Sequence, residues 1–235
     1  MEPIIGFIPC RSGSERVKNK NTRPFASFKN GLLELKLKQM AKVPELDKII
    51  VSSNDPFVLE YVERFQKTDP RLTPLERPEK FGNSQTSMED FTNHIAEMEN
   101  TGIIFWTHVT HPFLTSQYYS SIISKYLEAS VDGHDSLMTV TRIHKFIWSD
   151  NGPYNYSDKD EKWPRSQDLK PLFEINHGVY MLPFSTMRTV KDRVGKKPYL
   201  YDLPESIALD VDWEDQFILL NDIALARQER GDSLF

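Results

Sequence analysis

The chain has 235 residues, a length that fits one large domain or two small ones. Of these residues, 39% are hydrophobic and 11% are aromatic. This apolar content supports a buried core and excludes a globally disordered chain. Asp and Glu outnumber Lys and Arg by 34 to 29, giving a formal net charge of −5. Proteins that bind nucleic acids usually carry a basic surface, so the charge disfavours that class.

Cysteine content and hydropathy narrow the class further. The single cysteine, Cys10, excludes an internal disulfide and a cysteine-based zinc cluster. No apolar run approaches the ~20 residues that span a bilayer. The apolar start, residues 4–9, is too short and too soon followed by charge for a signal peptide. We therefore expect a cytoplasmic protein with neither membrane nor nucleic-acid partners.

Apolar runs alternate with amphipathic stretches along the chain. In chain order the sequence predicts strand 4–9, helix 32–42, strand 48–53, helix 56–66, helix 87–99, strand 103–109, helix 116–129, strands 136–142, 177–182 and 206–211, and helix 213–229. The fully apolar strand 4–9 is typical of parallel sheets that are buried on both faces, and strand 48–53 is predicted to be a second buried strand. The alternation predicts an α/β fold that is doubly wound around a mainly parallel sheet.

Residues 143–173, called the arm below, interrupt this alternation. The segment is too long for an ordinary connection within a compact domain. It is a disordered lid, or it packs on another surface such as a second subunit. Its aromatic content favours packing: Phe146, Trp148, Tyr154, Tyr156, Trp163 and Phe173. We expect a single domain over residues 1–235 from which this arm or lid is an insertion.

A basic loop, residues 11–21, follows the first predicted strand, where doubly wound sheets bind ligands. Gly13 lets the backbone approach a ligand closely, and small Ser12 and Ser14 leave N–H groups accessible. Four positive charges lie within ten residues: Arg11, Arg16, Lys18 and Lys20. These donors suit a triphosphate. The loop has neither the Walker A nor the GxGxxG pattern, which disfavours P-loop ATPases and ordinary NAD enzymes. A solvated surface loop is the alternative.

Two carboxylates, Asp210 and Asp212, end the last predicted strand, and their spacing places both on one face. Such a pair is costly unless a cation lies between the carboxylates. Mg²⁺ binds one or two carboxylates together with phosphate oxygens, so the pair suits a magnesium triphosphate. The alternative is that Asp212 caps the following helix, and the two roles are compatible.

These two motifs carry a resemblance to a known family. The basic loop is similar to the signature of the cytidylyltransferases that activate sialic acids and related 3-deoxy sugar acids, through the run Ile8-Pro9-x-Arg11-x-Gly13-Ser14-x-Arg16 and then Lys20-Asn21. Residues 209–215 resemble the family's closing motif, with Trp213 in place of a threonine. The resemblance runs from Ile5 to about Leu220 and is weak over 115–175. It implies a Rossmann-like nucleotidyltransferase fold and a homodimer formed through an arm.

The resemblance also implies roles for individual residues. Contacts to CTP would come from Arg11, Gly13, Ser14, Arg16, Lys20 and Asn21 in the loop, from Arg77, Thr86 and Ser87 near the cytosine and ribose, and from His108. Capping of a helix is the alternative role for Ser87. Asp210 and Asp212 would hold the catalytic Mg²⁺, while Arg11 and Lys20 would offset charge on the phosphates.

The residues predicted to bind the acceptor come from several parts of the chain. His108 stands where the family has a glutamine that meets the nucleotide or sugar, and Asn176 and His177 resemble an Asn-Gly segment beneath the sugar. The acceptor's carboxylate needs a further cation, for which the candidates are Arg142, Lys145 and Arg165. We expect transfer of CMP from CTP to a 2-keto-3-deoxy sugar acid with release of pyrophosphate. The alternatives are a phosphorylated or phosphonate acceptor, or a non-catalytic nucleotide-binding protein.

Overall fold

The computed structural model describes residues 2–82, 85–157 and 163–235. The strands in chain order are β1 (Ile4–Pro9), β2 (Lys48–Ser53), β3 (Leu72–Glu76), β4 (Ile103–Thr107), β5 (Ser136–Ile143), β6 (Trp148–Ser149), β7 (Gly152–Pro153), β8 (Leu172–Pro183) and β9 (Pro198–Asp202). The α-helices are α1 (Gly31–Ala41), α2 (Pro56–Gln66), α3 (Met88–Ala96), α4 (Ser116–Val131), α5 (Phe184–Val190) and α6 (Glu214–Glu229).

Seven strands of the described ranges form one sheet in the order β3-β2-β1-β4-β8-β5-β9. Strands β1, β2, β3 and β4 are mutually parallel, and β5 is parallel to β9. Strand β8 runs antiparallel to both β4 and β5. The sheet is therefore mixed but mostly parallel, which confirms the predicted α/β class. The chain moves outward from β1 to β3 and returns to β4 on the other side of β1, so the carboxyl ends of β1 and β4 form a topological switch point.

The two faces of β1 enter two separate hydrophobic cores because side chains alternate along a strand. Ile4 and Ile8 face the larger core, which includes the buried leucines of α1. Phe7 faces the smaller core, where its ring lies 5.2 Å from that of Trp106 and close to Phe91 of α3. Burial on both faces explains why the first strand reads as a continuous apolar run.

The prediction of a strand over 206–211 is wrong. Pro204 precedes this segment, and its carbonyl accepts hydrogen bonds from the amides of Ile207 and Ala208, which form a turn. The chain then continues outside the sheet, tied to the β4 side by a hydrogen bond from Val211 N to Thr110 O. Ala208 and Val211 are nevertheless buried. Their burial explains the apolar pattern without a strand.

Outside the arm, the sequence prediction missed three of these helices and strands: β3, β9 and α5. Strands β3 (LTPLE) and β9 (PYLYD) contain proline and polar residues and lie at the two edges of the sheet, so most of their side chains, Leu72 excepted, are not fully buried. Edge strands lack the apolar runs on which the prediction rests. The predicted strand 177–182 is the second half of the longer β8, whose first half pairs with the end of β5.

The arm leaves the sheet at the end of β5 and returns to it at the start of β8. Strands β6 and β7 form a small hairpin. The Asn155 side chain accepts a hydrogen bond from Ile147 N and donates to the carbonyl of Lys145, which ties the base of the arm together. The Phe146 ring packs 5.0 Å from Tyr156 and 5.6 Å from Trp163. Residues 158–162 of the predicted arm lie outside the described residues.

Cys10 provides a test of the core at the end of β1. Its side chain is fully buried, and burial raises the pKa of its thiol to about 12. We expect an aromatic disulfide reagent at pH 8 to leave Cys10 unmodified in the native protein and to react fully after unfolding in guanidinium. Rapid native labelling would contradict this account of the loop's base.

The same thiol predicts a pH dependence of stability. Because its folded pKa lies above the value of about 8.5 for an unfolded thiol, its contribution is fully present below that pH and is lost as pH rises through the folded pKa. The free energy of unfolding should therefore fall more steeply above pH 8.5 in the wild type than in Cys10→Ala, as measured by urea titration. Parallel curves for the two proteins would contradict the assignment.

Candidate active site

The basic loop emerges from β1 and is held by hydrogen bonds from neighbouring segments. Ser12 N donates to the Asn54 side chain at 3.0 Å, and Asn21 Nδ2 donates to the Arg11 carbonyl at 3.2 Å. Gly13 has a φ of +70°, a conformation that glycine adopts without strain. Asn21 therefore fixes the backbone at Arg11, and the loop has a defined shape.

The acidic segment after the 204–208 turn faces this loop. Arg16 forms an ion pair with Asp212 at 2.7 Å. Lys20 Nζ donates to the Val211 carbonyl at 2.8 Å and lies 3.8 Å from the Asp212 carboxylate. Burial lowers the pKa of Lys20, while the charges of Asp210 and Asp212 oppose that shift. Residues almost 200 positions apart in sequence thus form one charged site.

Asp212 does not cap α6 with its carboxylate. The Gln216 side chain accepts hydrogen bonds from the amides of Asp212 and Trp213, at 2.8 and 2.9 Å, and satisfies the helix start. This leaves the Asp212 carboxylate free to face the basic loop. By contrast, Ser87 does cap its helix, since its Oγ accepts a hydrogen bond from Asp90 N at 3.0 Å.

Asp210 faces a buried histidine at the carboxyl end of β4. Its Oδ1 lies 3.8 Å from Nδ1 of His111, and neither atom has a hydrogen-bond partner among the described residues. His111 Nε2 is bonded to the Asn176 carbonyl of β8 at 2.8 Å. Burial lowers the pKa of His111, and the Asp210 charge opposes the shift. An unsatisfied buried carboxylate oxygen is costly, so this atom is suited to a cation.

Lys36 of α1 lies beneath the same segment with 0% exposure. Its ammonium donates to the His111 carbonyl at 3.1 Å and contacts the Tyr119 hydroxyl. Burial lowers the pKa of Lys36 well below its ordinary value, and Asp210 opposes the shift. The amphipathic pattern of the helix did not distinguish this lysine from its exposed neighbours. It supports the backbone of the loop that carries the two histidines.

The acidic pair fits a magnesium ion that is also bound by a ligand's phosphates. Asp210 supplies an unpartnered oxygen and Asp212 a half-exposed one. Over the described residues, no group of three or more His, Cys, Asp and Glu side chains could hold a metal by itself. Mg²⁺ is commonly held by one or two carboxylates with phosphates and waters completing its shell. The donor set therefore suits a metal that arrives with a triphosphate.

A cleft of about 590 Å³, called the main cleft, contains most of the predicted site. The predicted residues that line it are Arg11, Ser14, Arg16, Lys20, Asn21, His108, His177, Asp210 and Asp212. The cleft lies at the switch point between β1 and β4. Its volume is in the range of small-molecule sites.

A second cavity of about 420 Å³, called the side pocket, adjoins the main cleft. The two share part of their lining, including Arg11 and His108. The remaining wall is mostly aromatic, with Phe81, Phe91 and Trp106. Apolar aromatic walls with a few polar groups suit a planar ring.

Arg77 forms the polar part of the side pocket and is only 4% exposed. Its guanidinium donates to the Ser52 side chain and carbonyl, at 3.2 and 2.8 Å, and lies 4.5 Å from the ring centre of Phe91. Burial lowers the pKa of Arg77 to about 10. Thr86 Oγ1, also in this lining, donates to the Lys80 carbonyl.

Several predicted site residues lie outside both linings. Lys145 pairs with Glu205, and Arg165 pairs with Asp168, in exposed positions on or near the arm. The remaining cation candidate, Arg142, pairs with Asp202. Gly13 and Ser87 also lie outside the linings, and the buried Asn176 side chain bonds to its strand neighbours Thr139 and Thr141. The structure does not bring the predicted acceptor cations to the cleft.

Arg193 is a cleft residue that the sequence analysis missed. It lines both cavities, from the loop between α5 and β9. In the sequence it is one of several charges in residues 191–197, and no local pattern separates it from Lys191 or Lys196. Only the folding of this loop against Tyr180 of β8 distinguishes it.

A mostly parallel α/β sheet, with a basic loop after its first strand and an acidic pair facing that loop, has the architecture of a nucleotidyltransferase. The model of the family described as cytidylyltransferase matches residues 5–208, and the chain belongs to this family. The acidic pair, Asp210 and Asp212, lies just beyond the matched range.

Curated relatives of known activity support the same family. The chain is 24% identical to the N-acylneuraminate cytidylyltransferase of Streptococcus agalactiae serotype III (strain NEM316) over 232 residues. It is 25% identical to the enzyme of the same name from serotype V (strain ATCC BAA-611 / 2603 V/R). These matches cover 93% of this chain and 52% of each relative. The chain therefore spans about half the length of these curated relatives.

Solved structures share the fold. A 4-diphosphocytidyl-2C-methyl-D-erythritol synthase from Anaerococcus prevotii superposes with a TM-score of 0.65 at 11% identity, covering 95% of this chain and 98% of the other. A CMP:2-keto-3-deoxy-manno-octonic acid synthetase complexed with CTP superposes with a TM-score of 0.64 at 13% identity, covering 97% of this chain and 99% of the other.

No helix among the described residues is both long and apolar enough to cross a membrane.

Proposed function

We propose that the protein transfers CMP from CTP to a 2-keto-3-deoxy sugar acid and releases pyrophosphate. The observation that carries this proposal is the meeting of Arg11 and Lys20 with the acidic pair across one cleft, beside an aromatic pocket. Family membership supports the nucleotide. The distant similarity to N-acylneuraminate cytidylyltransferases supports the acceptor class.

The side pocket is the proposed site of the cytosine ring. Phe81, Phe91 and Trp106 offer apolar surface to a planar base, and Arg77 and Thr86 provide polar groups in the lining. Arg77 is held by Ser52 and Phe91, so its guanidinium is oriented before the ligand binds. A preoriented donor reduces the entropy cost of binding.

The basic loop is the proposed site of the triphosphate. Arg11 has no carboxylate partner among the described ion pairs and lines both cavities, so its guanidinium is available to a phosphate. Arg16 pairs with Asp212 at the exposed mouth, where a bound phosphate would offer it a second anionic partner. Charge-assisted and bidentate contacts of this kind are among the strongest hydrogen bonds in proteins.

In the proposed reaction, a hydroxyl oxygen of the acceptor attacks the α-phosphorus of CTP. The bond from that phosphorus to the oxygen bridging the β-phosphate breaks, pyrophosphate leaves with the electron pair, and the hydroxyl proton passes to solvent. Mg²⁺, when bound by Asp210 and Asp212, would neutralise phosphate charge and lower the pKa of the attacking hydroxyl. Arg11 and Lys20 orient the phosphates and offset the charge that develops on pyrophosphate.

The test is pyrophosphate release in the presence of CTP, Mg²⁺ and a panel of acceptors. The panel contains nonulosonic acids, octulosonic acids, and phosphorylated and phosphonate compounds. We expect release with CTP and a sugar acid, loss of release with EDTA, and little release with ATP or GTP. Release only with a phosphorylated or phosphonate acceptor would contradict the acceptor class. No release with any acceptor, together with tight CTP binding, would indicate a non-catalytic nucleotide-binding protein.

We also propose that residues 1–235 form one domain and that the arm mediates a homodimer. Two arm tryptophans, Trp148 and Trp163, are 65% and 63% exposed in the single chain. Phe173 and Ile175 of the adjoining strand are exposed as well. A cluster of large apolar side chains on one projection is typical of a surface that a partner covers. We propose in addition that the reaction takes place in the cytoplasm.

The homodimer predicts a change of mass on substitution in the arm. We expect sedimentation at micromolar concentration to give twice the chain mass of 27.4 kDa for the wild type. Trp148→Asp should sediment as a monomer, because a buried carboxylate at an apolar interface is costly. Val131→Asp, at an exposed valine outside the arm, is the matched control and should remain dimeric. A monomeric wild type would contradict the proposal.

A further inference from the structure

Arg193 lies at the junction of the main cleft and the side pocket. The centre of its guanidinium is 4.3 Å from the ring centre of Tyr180 and 5.6 Å from that of Trp106. Its Nη2 lies 3.3 Å from Nδ1 of His177. Stacking on Tyr180 and contact with His177 fix the plane of the guanidinium and leave its remaining N–H groups for a ligand.

The charge of Arg193 is not offset by a carboxylate. Arg16 is paired with Asp212, and Arg23 with Glu214. Arg11 also lacks a carboxylate partner among the described residues, but it is the proposed ligand of the triphosphate. The cations once expected to bind the acceptor are also paired, as described above. Within the described part of the chain, no ion pair involves Arg193. A fixed guanidinium without a carboxylate partner, in the wall of a cleft, is suited to an anionic ligand.

His177 borders Arg193 in the wall of the main cleft. Burial, and then the charge of Arg193, lower the pKa of His177. His177 Nδ1 meets both the Tyr180 hydroxyl, at 2.5 Å, and the Arg193 guanidinium. Because the guanidinium can only donate, Nδ1 is the acceptor, and the proton of the neutral ring resides on Nε2. His177 has a φ of +56°, a backbone conformation rare for a side chain of this size.

The position of His177 relates Arg193 to the acidic pair. His177, Arg193 and the acidic pair all line the main cleft, and the Arg193 guanidinium contacts His177 Nδ1 at 3.3 Å. A ligand that fills this cleft can therefore present one end to the acidic pair and the other to Arg193. A sugar acid has this polarity, with a hydroxyl that reacts and a carboxylate that must be held.

We propose that Arg193, with His177 beside it, holds the carboxylate of the acceptor and selects for acidic acceptors. This inference rests on the proposed function for the identity of the acceptor. Arg193 thus takes the role that the sequence analysis gave to Lys145 and Arg165. Those two residues pair with Glu205 and Asp168 outside the cleft.

The kinetic test compares Arg193→Gln, Arg193→Lys and Lys196→Gln. For Arg193→Gln we expect the acceptor KM to rise about 10- to 100-fold, because a charge-assisted bidentate contact is lost. The Kd for CTP, measured by calorimetry without acceptor, should stay within about twofold of the wild type. Arg193→Lys keeps the charge without the planar fork and should recover part of the loss. Lys196→Gln removes an exposed charge from the same loop and should behave as the wild type.

A binding test with pyruvate separates this inference from the proposed function. Pyruvate is the smallest 2-oxo acid, and ligand-observed saturation-transfer NMR detects its methyl group even at weak affinity. We expect a signal with the wild type and Lys196→Gln and its loss with Arg193→Gln, after circular dichroism has confirmed that each variant is folded. This result would stand even if no panel acceptor released pyrophosphate.

Two outcomes would overturn the assignment of Arg193. The first is an unchanged acceptor KM with a weakened CTP affinity in Arg193→Gln, which would assign the side chain to the nucleotide. The second is the same pyruvate signal in the wild type and Arg193→Gln, including no signal in either. In both cases the proposal of cytidylyl transfer would be judged separately, by pyrophosphate release.

Discussion

Asp210→Asn and Asp212→Asn should each lower kcat by about 1,000-fold or more, equivalent to about 4 kcal/mol of transition-state stabilisation. An amide keeps the shape of the side chain but removes the charge that a hard cation requires. Both variants should keep the native fold, because both side chains line the cleft and are partly exposed, at 28% and 41%. Pyrophosphate release at saturating CTP, titrated with Mg²⁺, provides the measurement.

The two variants should differ in metal-free nucleotide binding. Asp212 is paired with Arg16 and lies near Lys20, so Asp212→Asn releases two cations toward the phosphates. CTP binding without Mg²⁺ should therefore be tighter in Asp212→Asn than in the wild type. Asp210 faces His111 instead, and Asp210→Asn should change this affinity less. Glu214→Gln, which alters the next carboxylate along the chain, is the control for turnover and should remain active. Full magnesium-dependent turnover in either aspartate variant would refute the metal assignment.

Arg11→Ala and Lys20→Ala should also have large effects on turnover. Each should cost about 2 to 4 kcal/mol of transition-state stabilisation and lower kcat/KM for CTP by about 30- to 1,000-fold. Arg11 is free to donate to a phosphate, whereas Lys20 is already bonded to the Val211 carbonyl. Lys20→Ala should therefore also loosen the closure between the basic loop and the acidic segment, which a lower melting temperature would report.

Lys18→Ala is the matched control for the loop, because Lys18 is exposed and lies between the two residues in sequence. Its kcat/KM for CTP should remain within about twofold of the wild type. If Arg11→Ala and Lys20→Ala also retain near wild-type kinetics, the loop is a solvated surface and not a phosphate site.

The parts of the fold that could be predicted are those whose residues are buried on regular elements. Strands β1 and β2 read as apolar runs because both faces are covered, and α2 begins after a capping Asp55 whose carboxylate accepts from Phe57 N. The strand prediction for 206–211 was wrong because Ala208 and Val211 are buried although this segment does not belong to the sheet. The apolar pattern of a sequence segment indicates that its residues are buried, but it does not indicate which part of the fold covers them.

Some residues of the candidate site could be predicted from the sequence, and others could not. Phosphate and metal candidates lie in two contiguous motifs, so Arg11, Lys20 and the acidic pair could be found from spacing and charge. The proposed acceptor end of the cleft is lined by residues that follow β4, lie in β8 and precede β9, which are far apart in sequence. The sequence makes Arg165 a candidate for binding the acceptor's carboxylate, yet it pairs with Asp168, three positions further along the chain. Arg193 had no local signature, and its role depends on the Tyr180 ring against which it folds.

The most direct measurement of the central claim follows the α-phosphate of CTP. The protein would be incubated with Mg²⁺, the sugar-acid panel and CTP carrying radioactive phosphorus at the α-position, and the products would be separated by anion-exchange chromatography. We expect the label to appear in a new CMP-linked compound, in an amount equal to the pyrophosphate released. Asp212→Asn should form none of this compound. Label recovered only as CTP, or as free CMP with no linked product, would contradict cytidylyl transfer.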